Sequence, residues 1–267
     1  IAYYPHPKSC IYKLNSSFIT HLRDEKGLRN STIGKQLGFL KWFLKWSANN
    51  GYHKNMAYLS FKPKLKTTEK RIIFLTWDEL MTVYNFPIPE SKKYLDRVRD
   101  VFCFCCFTSL RYSDVYNLKR FDIKNGALHI TTVKTADSLT IDLNKYSQAI
   151  LDKYDGVPFE DNKALPVISN QKMNDYIKEL GQLCGLDQPE TVTYYVGNER
   201  VDEVYPKYEL MGTHTGRRTF ISNAIMMGIP PQVVMKWTGH SDYKAMKPYI
   251  AIADSAKAEA MKLFNEK

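Results

Sequence analysis

No stretch of this 267-residue chain approaches eighteen uninterrupted apolar residues, which excludes a membrane-spanning helix and a membrane partner. A basic-then-apolar signal pattern is also missing, and the first residue is Ile rather than Met. The expectation is a fragment of a longer cytoplasmic chain. Cysteine is scarce, five in all, and three fall in the apolar run Phe102-Cys103-Phe104-Cys105-Cys106-Phe107. That spacing suits neither a disulfide framework nor a zinc site and predicts reduced core thiols. With 44% apolar and 25% charged residues, collagen and disorder are excluded as well. Acidic residues are nearly absent from the first quarter: residues 1–66 hold 12 Lys/Arg against 2 Asp/Glu, a net +10. Residues 67–267 carry 26 of each sign, so the whole excess of +10 sits in that first quarter. A basic module joined to a neutral one predicts a polyanion clamp beside a domain with another task, and nucleic acid is the expected polyanion.

The pattern predicts a mainly α chain with a small antiparallel β-sheet, an α+β protein. Two domains are expected: a basic helical DNA clamp over 1–66 and a second domain over 67–267, joined by a polar linker at 61–71. After an irregular, proline-bearing start, Ser17 to about Lys26 predicts a short helix. Asn30 or Ser31 then caps a helix running to about Asn49. Ile33, Leu37, Leu40 and Leu44 make one apolar stripe of that helix, and Phe39, Trp42 and Trp46 cover the other side, so packing on two faces is expected. Lys41 and Lys45, four apart, share an edge from which they could reach phosphates. Thr76 precedes the acidic first turn of a further helix. A long helix from about Ser91 to Phe107 reads as central and buried, and Arg111 to Leu118 forms the next one. Leu128–Thr135 and Leu139–Leu143 predict a hairpin around Ala136-Asp137-Ser138. Residues 144–154 and 170–184 read as helices, and 190–205 is mixed, with a second hairpin as one option. Arg217–Met227 and Pro231–Trp237 are helical, with a weakly amphipathic tail helix from about 254 to 264.

Six residues of the second domain invite chemistry: Arg111, Lys134, His214, Arg217, His240 and Tyr249. Each alone has an ordinary explanation. Arg111 can pair with Asp114 three residues on, a lysine near a hairpin turn is commonly solvated, Gly-His often ends a helix, and Tyr249 is one of 18 tyrosines. Their order is more telling. The first box is Thr108-Ser109-Leu110-Arg111-Tyr112-Ser113-Asp114, followed by Lys134-Thr135 in the hairpin. The second box is His214-Thr215-Gly216-Arg217-Arg218-Thr219-Phe220. The third is Thr238-Gly239-His240-Ser241-Asp242, and Tyr249 lies nine residues after its histidine. This succession resembles the tyrosine recombinase (phage integrase) family, with a catalytic domain over about 72–267 and a core-binding domain in the basic module.

The resemblance implies an enzyme of DNA recombination and DNA integration, an integrase of a mobile element that breaks and rejoins double-stranded DNA through a 3′-phosphotyrosine intermediate. It implies Tyr249 as nucleophile, Arg111 and Arg217 as phosphate clamps, and His214 assisting proton transfer. His240 would donate a hydrogen bond to the phosphate, and Lys134 would protonate the departing 5′ oxygen. Neither a metal ion nor a nucleotide cofactor is implied. The expected assembly is a homotetramer on two DNA duplexes in the cytoplasm of a prokaryotic cell, associated with the nucleoid. Met261 and Phe264 of the tail are the anchors expected to dock on a neighbouring protomer. The family often carries an arm-binding module in front and a histidine directly after the second arginine; this chain has Arg218 there, which the sequence leaves facing DNA, a helix or solvent. Two other classes stay open at this point: a type IB topoisomerase-like enzyme, and a catalytically silent DNA-binding protein. Metal-dependent nuclease chemistry is disfavoured, because no compact Asp/Glu cluster accompanies His214 or His240.

Overall fold

The computed structural model describes residues 16–69 and 71–262, with side chains through Asp254. In chain order the helices are α1 (Asn30–Asn49), α2 (Trp77–Asn85), α3 (Tyr94–Thr108), α4 (Tyr112–Asn117), α5 (Lys145–Lys153), α6 (Asn170–Leu183), α7 (Thr213–Met226), α8 (Pro231–Thr238) and α9 (Lys247–Lys262). Strands β1 (Ile123–Lys124), β2 (Ala127–Thr131) and β3 (Ser138–Asp142) form one antiparallel sheet in that order, and β4 (Pro189–Val196) pairs with β5 (Glu199–Pro206) in a second. The fold is therefore mainly α with small antiparallel sheets, as the pattern predicts. Among the described residues no helix is long and apolar enough to cross a membrane.

Contacts divide the chain into two compact units. The first contains the described residues up to Arg71 together with Thr191–Val204, the greater part of the β4–β5 hairpin. Residues 16–20 are helical and run into a π-helical turn at His21–Glu25. Leu22, Ile33, Leu37 and Phe61 form its small core, with Phe18, Ile19, Leu28 and Leu65 against it. Asn30 does not cap its own helix, contrary to expectation. Its buried side chain donates to the carbonyls of Lys66 (3.0 Å) and Gly197 (2.8 Å) and accepts the Gly197 N–H (2.9 Å). One amide thus satisfies three backbone groups and pins the hairpin turn, for which a buried polar side chain is well suited. Arg29 lies over the Tyr194 ring at 3.5 Å and pairs with Glu203 at 3.1 Å. The second expectation to fail concerns the aromatic side of α1. Phe39 and Trp42 are 68% exposed and Trp46 45%, so α1 is buried on the Ile33/Leu37 stripe alone. The core of this unit is too small to cover two faces of a twenty-residue helix.

The second unit comprises Ile72–Glu190 and the residues from Tyr205 onward. Its centre is α3, in which every residue from Val101 to Thr108 is buried, including the free thiols of Cys103, Cys105 and Cys106. Thr76 caps α2 in a reciprocal box with Glu79, whose carboxylate also receives Lys207 Nζ at 2.6 Å. Helix α7 lies against α3, and Gly216 allows the approach: a Cβ there would stand 2.8 Å from Cys105 Cβ. The sheet has one strand more than expected. Leu128 and Ile141 face inward as register partners, and β2 stops at Thr131, leaving Lys134 in a six-residue loop. The tail helix begins at Lys247 rather than near Asp254, with Pro248 in its first turn, where proline is tolerated. Met261 is described only as backbone of α9, and Phe264 lies outside the described residues.

Gly216→Ala is expected to destabilise the second unit by about 1–3 kcal/mol through overpacking against α3. Gly38→Ala, in open space within α1, should instead stabilise by about 0.4–1 kcal/mol. Urea midpoints of the two variants check this; equal shifts would refute the packing argument.

Candidate active site

The site begins where α3 ends. Ser109 takes the left-handed conformation (φ +66°) that stops the helix, and two residues later Arg111 forms the N-cap of α4. A serine held there costs backbone energy, which its contacts offset: its Oγ donates to the Trp237 carbonyl at 3.2 Å, and its carbonyl accepts Arg217 Nη1 at 3.0 Å.

Arg111 and Asp114 are both largely buried, yet their nearest atoms, Nη1 and Oδ2, are 3.8 Å apart. That is an ion pair without a hydrogen bond. Both atoms lack any hydrogen-bond partner. A buried guanidinium N–H in that state is a vacant donor for an anion. Asp114 Oδ1 meanwhile accepts the Val133 N–H at 3.0 Å, fastening the β2–β3 loop beside its lysine. Asp114 thus links the first arginine to the Lys134 loop. The sequence presents it only as an i,i+3 ion-pair partner, and that spacing was the one available signal.

The start of α7 is held by Asn174 of α6, whose Oδ1 accepts the Thr213 N–H at 2.9 Å. His214 follows, exposed in the first turn. Arg111, Lys134, His214 and Arg218 line one open polar concavity of about 430 Å³, together with Asn170, Asn174 and Thr213. Arg218 therefore faces the site rather than a neighbouring helix. Arg217 points inward and is only 6% exposed. Besides Ser109, its guanidinium donates to the Thr238 carbonyl and lies 3.4 Å from His240 Nε2.

His240 is placed by the end of α8. Gly239 turns left-handed (φ +65°), where a side chain would be strained, and the His240 N–H reaches back to the Met235 carbonyl at 3.2 Å. The ring then returns over the helix end, with Nδ1 2.8 Å from Thr238 Oγ1. Thr238 was not singled out from sequence, although it stands in the third box. Tyr249 lies in the first turn of α9, its ring against the cluster of Ile221, Ala224, Ile225, Val234, Met246 and Ala253. Among the described residues no hydrogen bond joins its hydroxyl to the other five residues.

Electrostatics bind these groups together. Burial, then the charge of Arg111, lowers Arg217 to about 10, still protonated at neutral pH. Burial lowers His240 to about 4, with Arg217 and Arg111 adding to the effect. His214 is lowered by desolvation and by Arg218, Arg217, Arg111 and Lys134. Burial raises the Tyr249 phenol, and Arg218 and Arg217 partly oppose that. Both histidines are thus neutral at pH 7 among four cations. Such an arrangement can hold a phosphate through fixed forks and exchange protons through neutral imidazoles. Among the described residues no three His, Cys, Asp or Glu side chains gather as a metal-holding group. In the first unit, Lys41 Nζ donates to the Phe61 carbonyl, while Lys45 is exposed.

Asp114→Ala should release the lysine loop and remove the buried carboxylate beside Arg111. The DNA strand cleavage that the resemblance implies is expected to fall about 100-fold, the scale of a misplaced reacting group; cleavage rates and DNA affinities from one preparation test it. A second expectation follows from His240. The folded chain keeps it deprotonated down to about 4, whereas an unfolded histidine protonates near the usual 6.5 or so. Its contribution to stability is full above that value and is lost as pH falls toward 4. Urea midpoints at pH 7 and pH 5 should differ less in His240→Gln than in wild type.

Comparison with known proteins identifies the family and the fold. Residues 73–256 match the model of the Phage integrase family. The Tyrosine recombinase XerC of Thermodesulfovibrio yellowstonii is 23% identical over 234 residues, which span 84% of this chain and 72% of that protein. A XerH site-specific recombinase, solved on a palindromic difH substrate in a post-cleavage complex, aligns with a TM-score of 0.68 at 15% identity, covering 95% of this chain and 72% of that one. A lambda integrase dimer bound to a COC′ core site aligns with a TM-score of 0.64 at 16% identity, covering 89% and 78%. At those identities the solved structures speak for the fold. The family match spans well over half the sequence and contains all three boxes, and the chain belongs to the phage integrase family of tyrosine recombinases.

Proposed function

We propose that this chain cuts and rejoins duplex DNA at specific sites through a 3′-phosphotyrosine at Tyr249, integrating or excising a mobile element. One observation carries the reading: a buried arginine, Arg217, ties His240 to the turn bearing Arg111, whose own Nη1 is unpartnered. In this reading the guanidinium groups of Arg111 and Arg217 and the His240 imidazole meet one phosphate. In the proposed reaction the Tyr249 oxygen attacks phosphorus, and its proton passes to neutral His214. The bond to the 5′ oxygen breaks, and Lys134 Nζ protonates that oxygen as it leaves. Arg111 and Arg217 hold the non-bridging oxygens as negative charge builds on them. The phosphotyrosine keeps the bond energy for a second 5′ hydroxyl, which attacks in the reverse sense and restores the phenol.

Exchange between two duplexes breaks four strands, and each copy supplies one tyrosine, which supports a homotetramer on two duplexes. The basic charge of residues 1–66 supports a role in holding DNA, with exposed Lys45 better placed for phosphate than Lys41. Arg218, open to the same concavity as Lys134, is a further backbone contact in this reading.

The test is covalent trapping. Nicked suicide duplexes drawn from a randomised-sequence pool should yield a detergent-stable adduct that mass spectrometry maps to Tyr249. Tyr249→Phe should retain DNA affinity and lose the adduct; an adduct that persists in this variant would overturn the assignment.

A further inference from the structure

We propose that Thr238 is a positioning residue for His240: it keeps the ring proton on Nδ1, so Nε2 can donate to a phosphate oxygen only after the ring takes up a second proton from solvent. The argument is donor and acceptor accounting. Thr238 is fully buried, and its Oγ1 lies 2.8 Å from the Val234 carbonyl and 3.3 Å from that of Met235. Carbonyls only accept, so the single hydroxyl proton is committed to the helix. With the hydroxyl proton on the helix, Oγ1 offers the imidazole a lone pair, and in this proposal the 2.8 Å contact is made by an Nδ1–H donor. The far side of the ring agrees. Arg217 Nη2 is donor-only and faces Nε2 at 3.4 Å, which suits a bare nitrogen.

The ring has little freedom to escape this wiring. The left-handed Gly239 and the His240 N–H bond to Met235 fix its backbone. The charged groups around it are Arg217 of α7 and Arg111 of the α3–α4 turn. Asp137 of the β2–β3 loop also lies near, its carboxylate 3.6 Å from where a Gly239 Cβ would stand, and Asp242 follows two residues on. Without an anion, burial first and the two arginines second keep the ring neutral, and only a negative charge placed against Nε2 can offset both. An arriving phosphate would meet Nε2 lone pair to lone pair, which is repulsive. It also cancels the field of the arginines, so a solvent proton adds to Nε2 and is shared with the phosphate oxygen. Anion binding and proton uptake thereby become one event at His240.

This inference rests on the reading that Arg217 and His240 receive a phosphate, and its test needs no tyrosine adduct. Inorganic sulfate is the probe, because its charge is constant between pH 7 and pH 5. In ¹⁵N spectra of the sulfate-free protein, His240 should show protonated Nδ1 and bare Nε2. Sulfate affinity in a His214→Gln background, which removes the neighbouring titration, should rise toward about tenfold per unit fall in pH, as linkage to one proton requires. Thr238→Ser should keep both signatures. Thr238→Val should move the proton to Nε2 and flatten the pH dependence. A wild-type ring already protonated on Nε2, or a Thr238→Val chain with unchanged shifts and slope, would overturn the proposal. Loss of the Tyr249 adduct with intact sulfate linkage would sink only the covalent reading.

Discussion

The buried guanidinium of Arg217 is the constraint on which the rest of the site depends. A charge in that position is strongly disfavoured unless its N–H groups are satisfied. Two backbone carbonyls meet the requirement, from Ser109 at the end of α3 and from Thr238 at the end of α8. One cation therefore fastens two helix ends to α7. Both ends carry a left-handed residue, Ser109 and Gly239, and each such turn sends the chain straight into a site residue, Arg111 and His240. The bonds that satisfy Arg217 are the same ones that place its partners.

Crowding of like charge is the second feature. Arg111, Lys134, Arg217 and Arg218 all act on His214, Asp114 is the buried counter-ion of Arg111, and the two atoms nearest each other in that pair remain unpartnered. That crowding adds to burial, the larger cause, in lowering His214, Arg217 and His240. In the proposed reading, the DNA phosphate is the charge that opposes this crowding. Perturbed titration is common at sites that act on charged substrates, because the protein gives up some stability to keep the site unfilled. The neutrality of the two histidines at pH 7 has two causes, burial first and the neighbouring cations second.

The first unit follows a different logic. Its core is small, and much of its order comes from polar fastening: Asn30 on Lys66 and Gly197, and Arg29 on Tyr194 and Glu203. The hairpin that supplies three of these four contacts lies far along the chain. A segment far from residues 1–71 in sequence is thus structurally part of the basic module.

How much was legible beforehand varies with the kind of interaction. The order of Arg111, Lys134, His214, Arg217, His240 and Tyr249 was readable, because spacing along the chain is one-dimensional information. Helical periodicity likewise revealed the buried α3 and the capped start of α2, since both are local. What the sequence could not carry was contact between distant residues. Asn30 looked like a cap because its partner Gly197 is 167 positions away. The aromatic side of α1 looked buried because periodicity marks a face without saying whether anything covers it. Asp114 and Thr238 became meaningful only once folding set one against the Lys134 loop and the other beneath the His240 ring. By itself the sequence determined which chemical groups are present and in what order; the tertiary structure decided which of them share a low-dielectric space, and protonation and hydrogen-bond direction both depend on that proximity.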